Sequence, residues 1–152
     1  MPSISFVIPN YNMAAWLPEA IESCLWQTQH DMEIVVVDDG STDVSRDVLR
    51  YYEEDPRVVT RYTENLGAAK AREVGQEIAS GEFLWFVDAD DFLSPRAAEF
   101  MLKKARADDV NMVACNAAVF SQRTFNSRSY FPKQEVACTN FGNSNYWKSK
   151  VM

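Results

Sequence analysis

Residues 33–40 read EIVVVDDG, and this stretch decides the fold of the chain. A continuous β-branched run of this kind is typical of a strand in a sheet that is covered on both faces. The run stops at Asp38, Asp39 and Gly40, which supply the polar side chains and the backbone freedom of a turn. A buried strand that ends in acidic residues predicts an α/β domain with polar groups along one sheet edge.

Strand and helix patterns alternate on both sides of this stretch. Further strands are predicted at residues 4–8, 58–62, 82–87 and 111–115, and helices at 17–25, 44–53, 68–79 and 94–107. Ser94 and Pro95 are predicted as the N-cap and first-turn pair of the last helix. Regular alternation predicts a three-layer α/β/α core with a mainly parallel central sheet. We place this core at residues 1–116, because the pattern loosens from residue 117 to residue 152.

Composition narrows the class of protein. The 152 residues, 47% hydrophobic and 24% charged, are typical of one globular domain. No apolar run approaches the roughly 20 residues of a membrane span, and the start lacks the basic region of a signal peptide, so we expect a cytoplasmic location. Three cysteines without C-x-x-C spacing indicate small buried side chains. His30 is the only histidine and lies in a polar stretch that is predicted as a loop. This argues against histidine-rich metal sites and Ser-His-Asp chemistry, so a general base is expected to be a carboxylate.

Charge is divided unevenly along the chain. Residues 1–109 hold 10 basic and 21 acidic residues, a net of 10 − 21 = −11, while residues 110–152 hold 5 and 1, a net of 5 − 1 = +4. The acidic part argues against nucleic-acid binding, which requires a basic surface. For the basic tail, contact with a membrane surface, an anionic acceptor or a second copy of the chain stays open beside a solvated face.

A second apolar run also ends in acids. Residues 83–87, FLWFV, lead directly into residues 88–91, DADD. Carboxylates this close raise one another's pKa unless a cation lies among them. A divalent metal with oxygen ligands is the simplest such cation, and Mg²⁺ usually binds together with substrate phosphates. The alternative is a solvated acidic turn.

Polar residues follow three of the predicted strands. They are PNYN at residues 9–12, DDGS at 38–41 and DADD at 88–91. Ligands of an open α/β sheet bind outside the carboxyl ends of its strands, so these segments form one candidate nucleotide and metal site. Arg72 is a candidate phosphate partner, with a surface ion pair as the equal alternative.

These motifs resemble the opening of the family 2 glycosyltransferases with the GT-A fold. The matching segments are residues 6–12, 27–28, 37–43, 65–67, 71–72 and 88–91, in family order across roughly residues 3–110. The resemblance implies inverting transfer of a sugar from a nucleotide diphosphate sugar, most often UDP-linked, to the hydroxyl of a glycan or lipid-linked acceptor, aided by Mg²⁺ or Mn²⁺.

The resemblance also implies roles for individual residues. Asp39 would hydrogen-bond the uracil, and the backbone around Pro9 and Tyr11 would pack against the nucleotide. Asp88 would lie near the ribose, Asp90 would ligate the metal with Asp88 as a secondary ligand, and Asp91 would face the acceptor. The full set of implied donor-site residues is Pro9, Tyr11, Asp38, Asp39, Asn65, Gly67, Arg72, Asp88, Ala89 and Asp90.

The catalytic base of the family lies downstream, in the acceptor half. Glu135 is the only acid after Asp109, and we do not assign it as the base. Residues 117–152 are therefore interpreted as the start of an incomplete acceptor-side region. A non-catalytic module that binds a nucleotide sugar stays open as the alternative function. A further departure is Glu73, where family members commonly have asparagine.

Overall fold

The fold is described from a computed structural model. It describes residues 1–115 in full and, beyond them, the backbone of 118–121, 124–129, 137–139 and 150–151. The strands are β1 Ile4–Asn10, β2 Met32–Asp39, β3 Val58–Thr63, β4 Phe83–Phe86, β5 Met112–Ala114, β6 Ala118–Ser121, β7 Thr124–Ser129, β8 Ala137–Thr139 and β9 Lys150–Val151. The helices are α1 Leu17–Leu25, α2 Ser45–Tyr52, α3 Ala68–Ile78 and α4 Ala97–Ala107.

The main sheet has the strand order β3-β2-β1-β4-β9-β5-β8. Every pairing in it is parallel except β5 with β8, which confirms the mainly parallel sheet. Strands β6 and β7 form a separate antiparallel pair. The chain runs outward from β1 to β3 and then adds β4 on the other side of β1. This reversal opens a crevice at the carboxyl ends of β1 and β4, where α/β proteins bind ligands.

Alternate residues of the strands build two apolar layers, because successive side chains point to opposite faces. One layer joins β1 and β2 to α1, α2 and α4 through residues such as Ile8 and Val36. The other joins the same strands to α3 through Val7, Val37 and Ala71. Helices on both faces of the sheet confirm the three-layer core.

Helix α3 lies very close to the sheet. A Cβ placed on Gly75 would come within 2.3 Å of Val7 Cγ1 and 3.3 Å of Val37 Cγ2. No side chain fits at this contact without moving the helix. Glycine at this position therefore allows the close approach of α3 to β1 and β2.

The predicted elements are all present, but several boundaries differ. Strands β1 and β2 continue to Asn10 and Asp39, so the two acids that were predicted in a turn lie on the strand. The prediction of Ser94 and Pro95 as helix cap and first turn is wrong, because α4 begins at Ala97 after the N-cap residue Arg96. Both the Ser94 and Pro95 carbonyls instead accept hydrogen bonds from the end of α1.

Two sequence predictions concern the far part of the chain. The predicted boundary between residues 1–116 and 117–152 and the side chain of Glu135 lie outside the described residues. In the part of the chain that is described, no helix has the length and apolar character needed to cross a bilayer.

Candidate functional site

The loops after β1 and β2 are joined by side-chain hydrogen bonds. Asn10 Nδ2 donates to Asp38 Oδ1 at 2.7 Å and to Ser41 Oγ at 3.1 Å, and the same hydroxyl accepts from the Asn12 amide at 2.9 Å. Asn12 Oδ1 in turn accepts from the Thr42 amide at 2.7 Å. These contacts fix the two loops as one rigid rim of the crevice.

The two aspartates that end β2 serve opposite faces of the sheet. Asp38 is fully buried on the side of α1 and α2, where it accepts from Asn10 and forms an ion pair with Arg46 at 3.4 Å. The Arg46 guanidinium also lies 5.4 Å from the ring centroid of Tyr62. Asp38 is thus bound within the rim, and no contact directs its carboxylate into the crevice.

Asp39 points to the side of α3 and holds the turn that precedes that helix. Its Oδ1 accepts from Thr63 Oγ1 at 2.6 Å and from the Leu66 amide at 2.7 Å, and its Oδ2 accepts from the Gly67 amide at 2.7 Å. Burial raises the pKa of Asp39, but these three hydrogen bonds outweigh it and leave the pKa below its ordinary value. A carboxylate has about four acceptor positions, so one remains after the three internal donors.

The turn at residues 65–67 approaches the β2 loop closely. A Cβ on Gly40, whose φ is +74°, would lie 2.7 Å from the Asn65 amide nitrogen. Asn65 and Gly67 also have positive φ values, 52° and 91°, which asparagine and glycine adopt more readily than other residues. The implied donor residues Asn65 and Gly67 therefore adjoin Asp39.

Arg72 connects helix α3 to the acidic segment. Its Nη2 lies 2.5 Å from Asp88 Oδ1, and both side chains are partly exposed. Of the two readings open from sequence, the ion pair is thus present, and it is formed with an implied donor-site acid. Arg72 remains partly accessible to an anion in the crevice.

Residues 88–91, which we call the acid turn, form an exposed turn closed by a hydrogen bond from the Asp91 amide to the Asp88 carbonyl at 3.0 Å. Asp88, Asp90 and Asp91 are exposed, whereas Ala89 is buried and anchors the turn. Partial loss of water raises the pKa of Asp91, and the negative charges of Asp88 and Asp90 raise it further. The repulsion expected from the sequence is therefore present at Asp91.

Metal binding by the acid turn depends on the donor groups that its side chains offer. Among the described residues, no group of three or more acidic, histidine or cysteine side chains is arranged to hold a metal ion. Mg²⁺ and related ions are commonly bound by one or two carboxylates together with phosphate oxygens and water. Asp90 and Asp88 fit that second mode, since both carboxylates are exposed at the crevice edge. The assignment of these two ligands stays a prediction.

The remaining implied residues line the rim of the crevice. Pro9 is half-buried at the end of β1, and Tyr11, which follows it, is 44% exposed. An exposed ring beside the carboxyl edge is available for packing against a planar base. The predicted donor-site residues are thus distributed over three places at this edge. These are the rim, the turn at residues 65–67 that Asp39 holds, which we call the Asp39 turn, and the acid turn.

Two buried polar residues, Gln27 and Ser23, received no role from the sequence. Gln27 was part of a family motif without a role, and Ser23 was not singled out. Both bind the segment that follows the acid turn. Both are buried, Ser23 within α1 and Gln27 two residues after its end, but their partners lie about 70 residues away and no local pattern identifies them.

Comparison with known proteins places this geometry in a family. The chain matches the family model described as glycosyl transferase family 2 over residues 5–151. An uncharacterized glycosyltransferase of Escherichia coli, YibD, is 39% identical over 115 residues, which is 75% of this chain and 33% of the relative. An uncharacterized glycosyltransferase of Bacillus subtilis, EpsJ, is 32% identical over 88% of this chain and 38% of the relative. The chain therefore spans about a third of the length of these relatives.

Solved structures share the fold. Staphylococcus aureus TarS 1-349 in complex with UDP-GlcNAc has a TM-score of 0.68 and 28% identity over 74% of this chain and 33% of that one. The mannosyltransferase PcManGT of Pyrobaculum calidifontis, in complex with GDP-Man and Mn²⁺, has a TM-score of 0.57 and 28% identity over 62% of this chain and 29% of that one. The α/β fold predicted from sequence is thereby confirmed as the GT-A type.

Proposed function

Because the chain belongs to glycosyl transferase family 2, we propose that it is the donor-binding part of an inverting glycosyltransferase. The donor is a nucleotide diphosphate sugar, with UDP as the nucleotide, and the acceptor is a hydroxyl group of a glycan or lipid-linked molecule. Support comes from the match over residues 5–151 and from the likeness to a transferase solved with UDP-GlcNAc.

One observation carries the proposal. Two sets of groups of different chemistry lie at the same sheet edge, namely the hydrogen-bonded Asp39 turn and the exposed acid turn. The free acceptor position of Asp39 suits an N–H group of a base, and Tyr11 offers an exposed ring at the same sheet edge. Arg72 lies next to Asp88, between these sets, where a cation is favourable for the phosphates. Base, diphosphate and sugar would then extend from β2 toward the acid turn.

The donor set of the acid turn suits Mg²⁺ or Mn²⁺. Asp90 would hold the ion together with the diphosphate, with Asp88 as the secondary ligand. When bound, such an ion stabilises the negative charge that develops on the leaving diphosphate. Partial burial raises the pKa of Asp91, and the charges of Asp88 and Asp90 raise it further, so these neighbouring acids provide a negative field that would attract the ion.

Activation of the acceptor requires a base that takes the proton of its hydroxyl group, and this base must lie within hydrogen-bond reach of that proton. We expect the base to be a carboxylate. Asp91 is placed toward the acceptor side of the turn in this proposal. We assign the base itself to the acceptor-side region that begins within residues 117–152. Residues 1–116 form the donor core, which acts in the cytoplasm, at or near a membrane surface.

Calorimetric titration of UDP, with and without Mn²⁺, tests this function. We expect UDP to bind more tightly with the metal and Asp90→Ala to remove most of the metal-dependent gain. UDP-sugars and GDP are titrated in parallel, because the N–H groups of guanine are also donors to a carboxylate. Equal binding with and without metal, or no binding of any nucleotide diphosphate, would contradict the proposal.

Asp47→Ala is the matched control for the loss of one negative charge. Asp47 lies on α2, where it pairs with Arg50 at 2.6 Å, and it takes no part in the crevice. We expect its UDP affinity to equal that of the wild type. A separate assay of sugar transfer distinguishes an enzyme from a non-catalytic nucleotide-sugar-binding module: binding without transfer in the full-length protein favours the module.

A further inference from the structure

Gln27 is a fully buried polar side chain at the end of α1. Its Nε2 donates to the Ser23 carbonyl at 3.0 Å and to the Ser94 carbonyl at 2.8 Å, and its Oε1 accepts from the Ala98 amide at 2.9 Å. A buried primary amide is unfavourable unless its donors and acceptor are satisfied. Here both N–H groups and the carbonyl oxygen have partners, so the side chain is fixed in one orientation.

The Ala98 contact replaces the missing cap of α4. The N-cap residue Arg96 makes no side-chain capping hydrogen bond, and Ala98 is the second residue of the helix. The first N–H groups of a helix lack partners within it and are normally satisfied by a side chain next to the helix start. Gln27 supplies that acceptor from the segment just after α1, 71 residues earlier in the chain.

Two neighbours of Gln27 bind the adjoining residues. Ser23 Oγ accepts from the Leu93 amide at 3.0 Å, and the Thr28 amide donates to the Pro95 carbonyl at 2.8 Å. Ser23, Gln27 and Thr28, which we call the α1 clamp, therefore hold three consecutive residues, 93–95. All of these contacts come from the C-terminal end of α1.

The clamp is one of two anchors of the acid turn. On the other side of the turn, the Val87 amide donates to the Val7 carbonyl at 3.0 Å, which ties the end of β4 to β1. Residues 88–92 lie between these anchors, and the clamp contact at Leu93 is two residues from Asp91. The backbone on both sides of the acid turn is thus held by groups that do not contact its carboxylates, in addition to the direct contact of Arg72 with Asp88.

We infer that Gln27 is a positioning residue that holds the acid turn where the metal diphosphate binds. The inference rests on the proposed function, because it assigns the α1 clamp a task in metal-dependent donor binding. A displacement of about 1 Å far from the chemistry can lower the rate of an enzyme about 100-fold. Gln27 acts through the acid turn and leaves recognition of the base to Asp39.

Gln27→Met tests the inference, since it keeps the length of the side chain and removes all of its hydrogen bonds. We expect it to weaken UDP binding in the presence of Mn²⁺ by about 10-fold, a smaller effect than full misplacement would have. UDP binding without metal is expected to stay at the wild-type value, which a merely structural defect would not leave unchanged. Hydrogen–deuterium exchange of residues 88–93 should become faster.

Gln29→Met is the matched control. Gln29 lies two residues further on and contacts only the Asp31 carbonyl, at 3.5 Å, among the hydrogen bonds of the described residues. It is expected to show wild-type exchange and wild-type UDP affinity. Unchanged exchange of residues 88–93 and unchanged metal-dependent affinity in Gln27→Met would overturn the inference.

Two further outcomes are decided by the same measurements. If Gln27→Met does not fold, Ser23→Ala removes the acceptor of the Leu93 amide and, within α1, the hydrogen bond of the same hydroxyl to the Ala20 carbonyl. Faster exchange in residues 88–93 with weaker metal-dependent binding then supports the clamp, while wild-type values overturn it. If wild-type protein shows no metal-dependent UDP binding, the proposed function fails. Exchange alone then shows whether Gln27 holds the acid turn.

Discussion

The Asp39 turn and the acid turn lie at one sheet edge but treat their carboxylates in opposite ways. Asp39 is buried, accepts three internal hydrogen bonds and has a lowered pKa. Asp91 is exposed beside two further acids, and its pKa is raised. In the first turn, three of the about four acceptor positions of the carboxylate are filled by donors of the protein itself. In the second, Arg72 pairs with Asp88, while Asp90 and Asp91 add further negative charge, and we propose that a bound cation balances it.

The largest difference is expected in stability. Asp39→Ala leaves three donors without their acceptor, and we expect the free energy of unfolding to fall by about 3 kcal/mol. Asp90→Ala, in the exposed acid turn, should change it by less than about 0.5 kcal/mol. Urea denaturation followed by circular dichroism measures both. Similar losses for the two variants would show that the turns do not differ in the way described.

Arg72 tests the connection between the two turns. Arg72→Ala removes the cation beside Asp88, and we expect UDP affinity to fall about 10-fold, since a guanidinium–phosphate contact is charge-assisted and 1.4 kcal/mol corresponds to a factor of 10. Stability should change by less than about 1 kcal/mol, as for other partly exposed ion pairs. Calorimetry with UDP provides the affinity.

Lys70→Ala is the control for this variant, because it removes one positive charge from the same helix. Lys70 pairs with Glu73 at 2.9 Å on the outer surface of α3. We expect its UDP affinity to stay within about 2-fold of wild type, as for charges separated by solvent. An equal loss in Lys70→Ala would assign the effect to net charge and remove Arg72 from the site.

The smallest effect is expected from the pH dependence of Asp91. A carboxyl with a raised folded-state pKa binds its proton more tightly in the folded protein, so stability falls as the pH rises from the ordinary pKa of 3.8 through the folded value. Asp91→Asn should abolish this fall and raise the unfolding free energy at pH 7 by less than about 0.5 kcal/mol. Thermal unfolding from pH 2 to pH 8 measures it.

The pKa shift of Asp39 has the opposite sign, so Asp39 provides the internal reference for the same pH series. Its folded pKa is lowered, so its contribution to stability is present above the ordinary value of 3.8 and is lost as the pH falls through the folded value. Asp39→Asn should therefore flatten the stability curve on the acid side of pH 4. If Asp91→Asn instead destabilised the protein at pH 7, the acid turn would be satisfied internally.

Local patterns were sufficient for the layers of the fold. The run of residues 34–37 is apolar at every position because β2 is covered on both faces, and that cause is visible in the sequence itself. The start of α4 was misplaced because Ser94 and Pro95 have the local features of a helix start, whereas their carbonyls bind α1 instead. Such a boundary is decided by contacts between segments that are far apart in the sequence, and helix propensity does not reflect these contacts.

The site was predictable as a set of residues and not as an arrangement. Acids after two strands indicated which edge would bind a ligand, since carboxyl ends of parallel strands meet there. That Asp38 would face α2 and Asp39 would face α3 follows from strand alternation only once β2 is known to extend to Asp39. The hydrogen-bond partners of Asp39 depend on the turn at residues 65–67, and the position of this turn relative to β2 could not be predicted from the sequence.

The most direct test of the contrast between the two turns is a titration of Mn²⁺ followed by electron paramagnetic resonance, with and without UDP. If the acid turn is completed by an ion and a diphosphate together, UDP should raise the affinity for Mn²⁺ by about 10-fold or more, and by linkage Mn²⁺ should raise the affinity for UDP by the same factor. Asp90→Ala should abolish this coupling. Equal Mn²⁺ affinity with and without UDP in the wild-type protein would contradict the account.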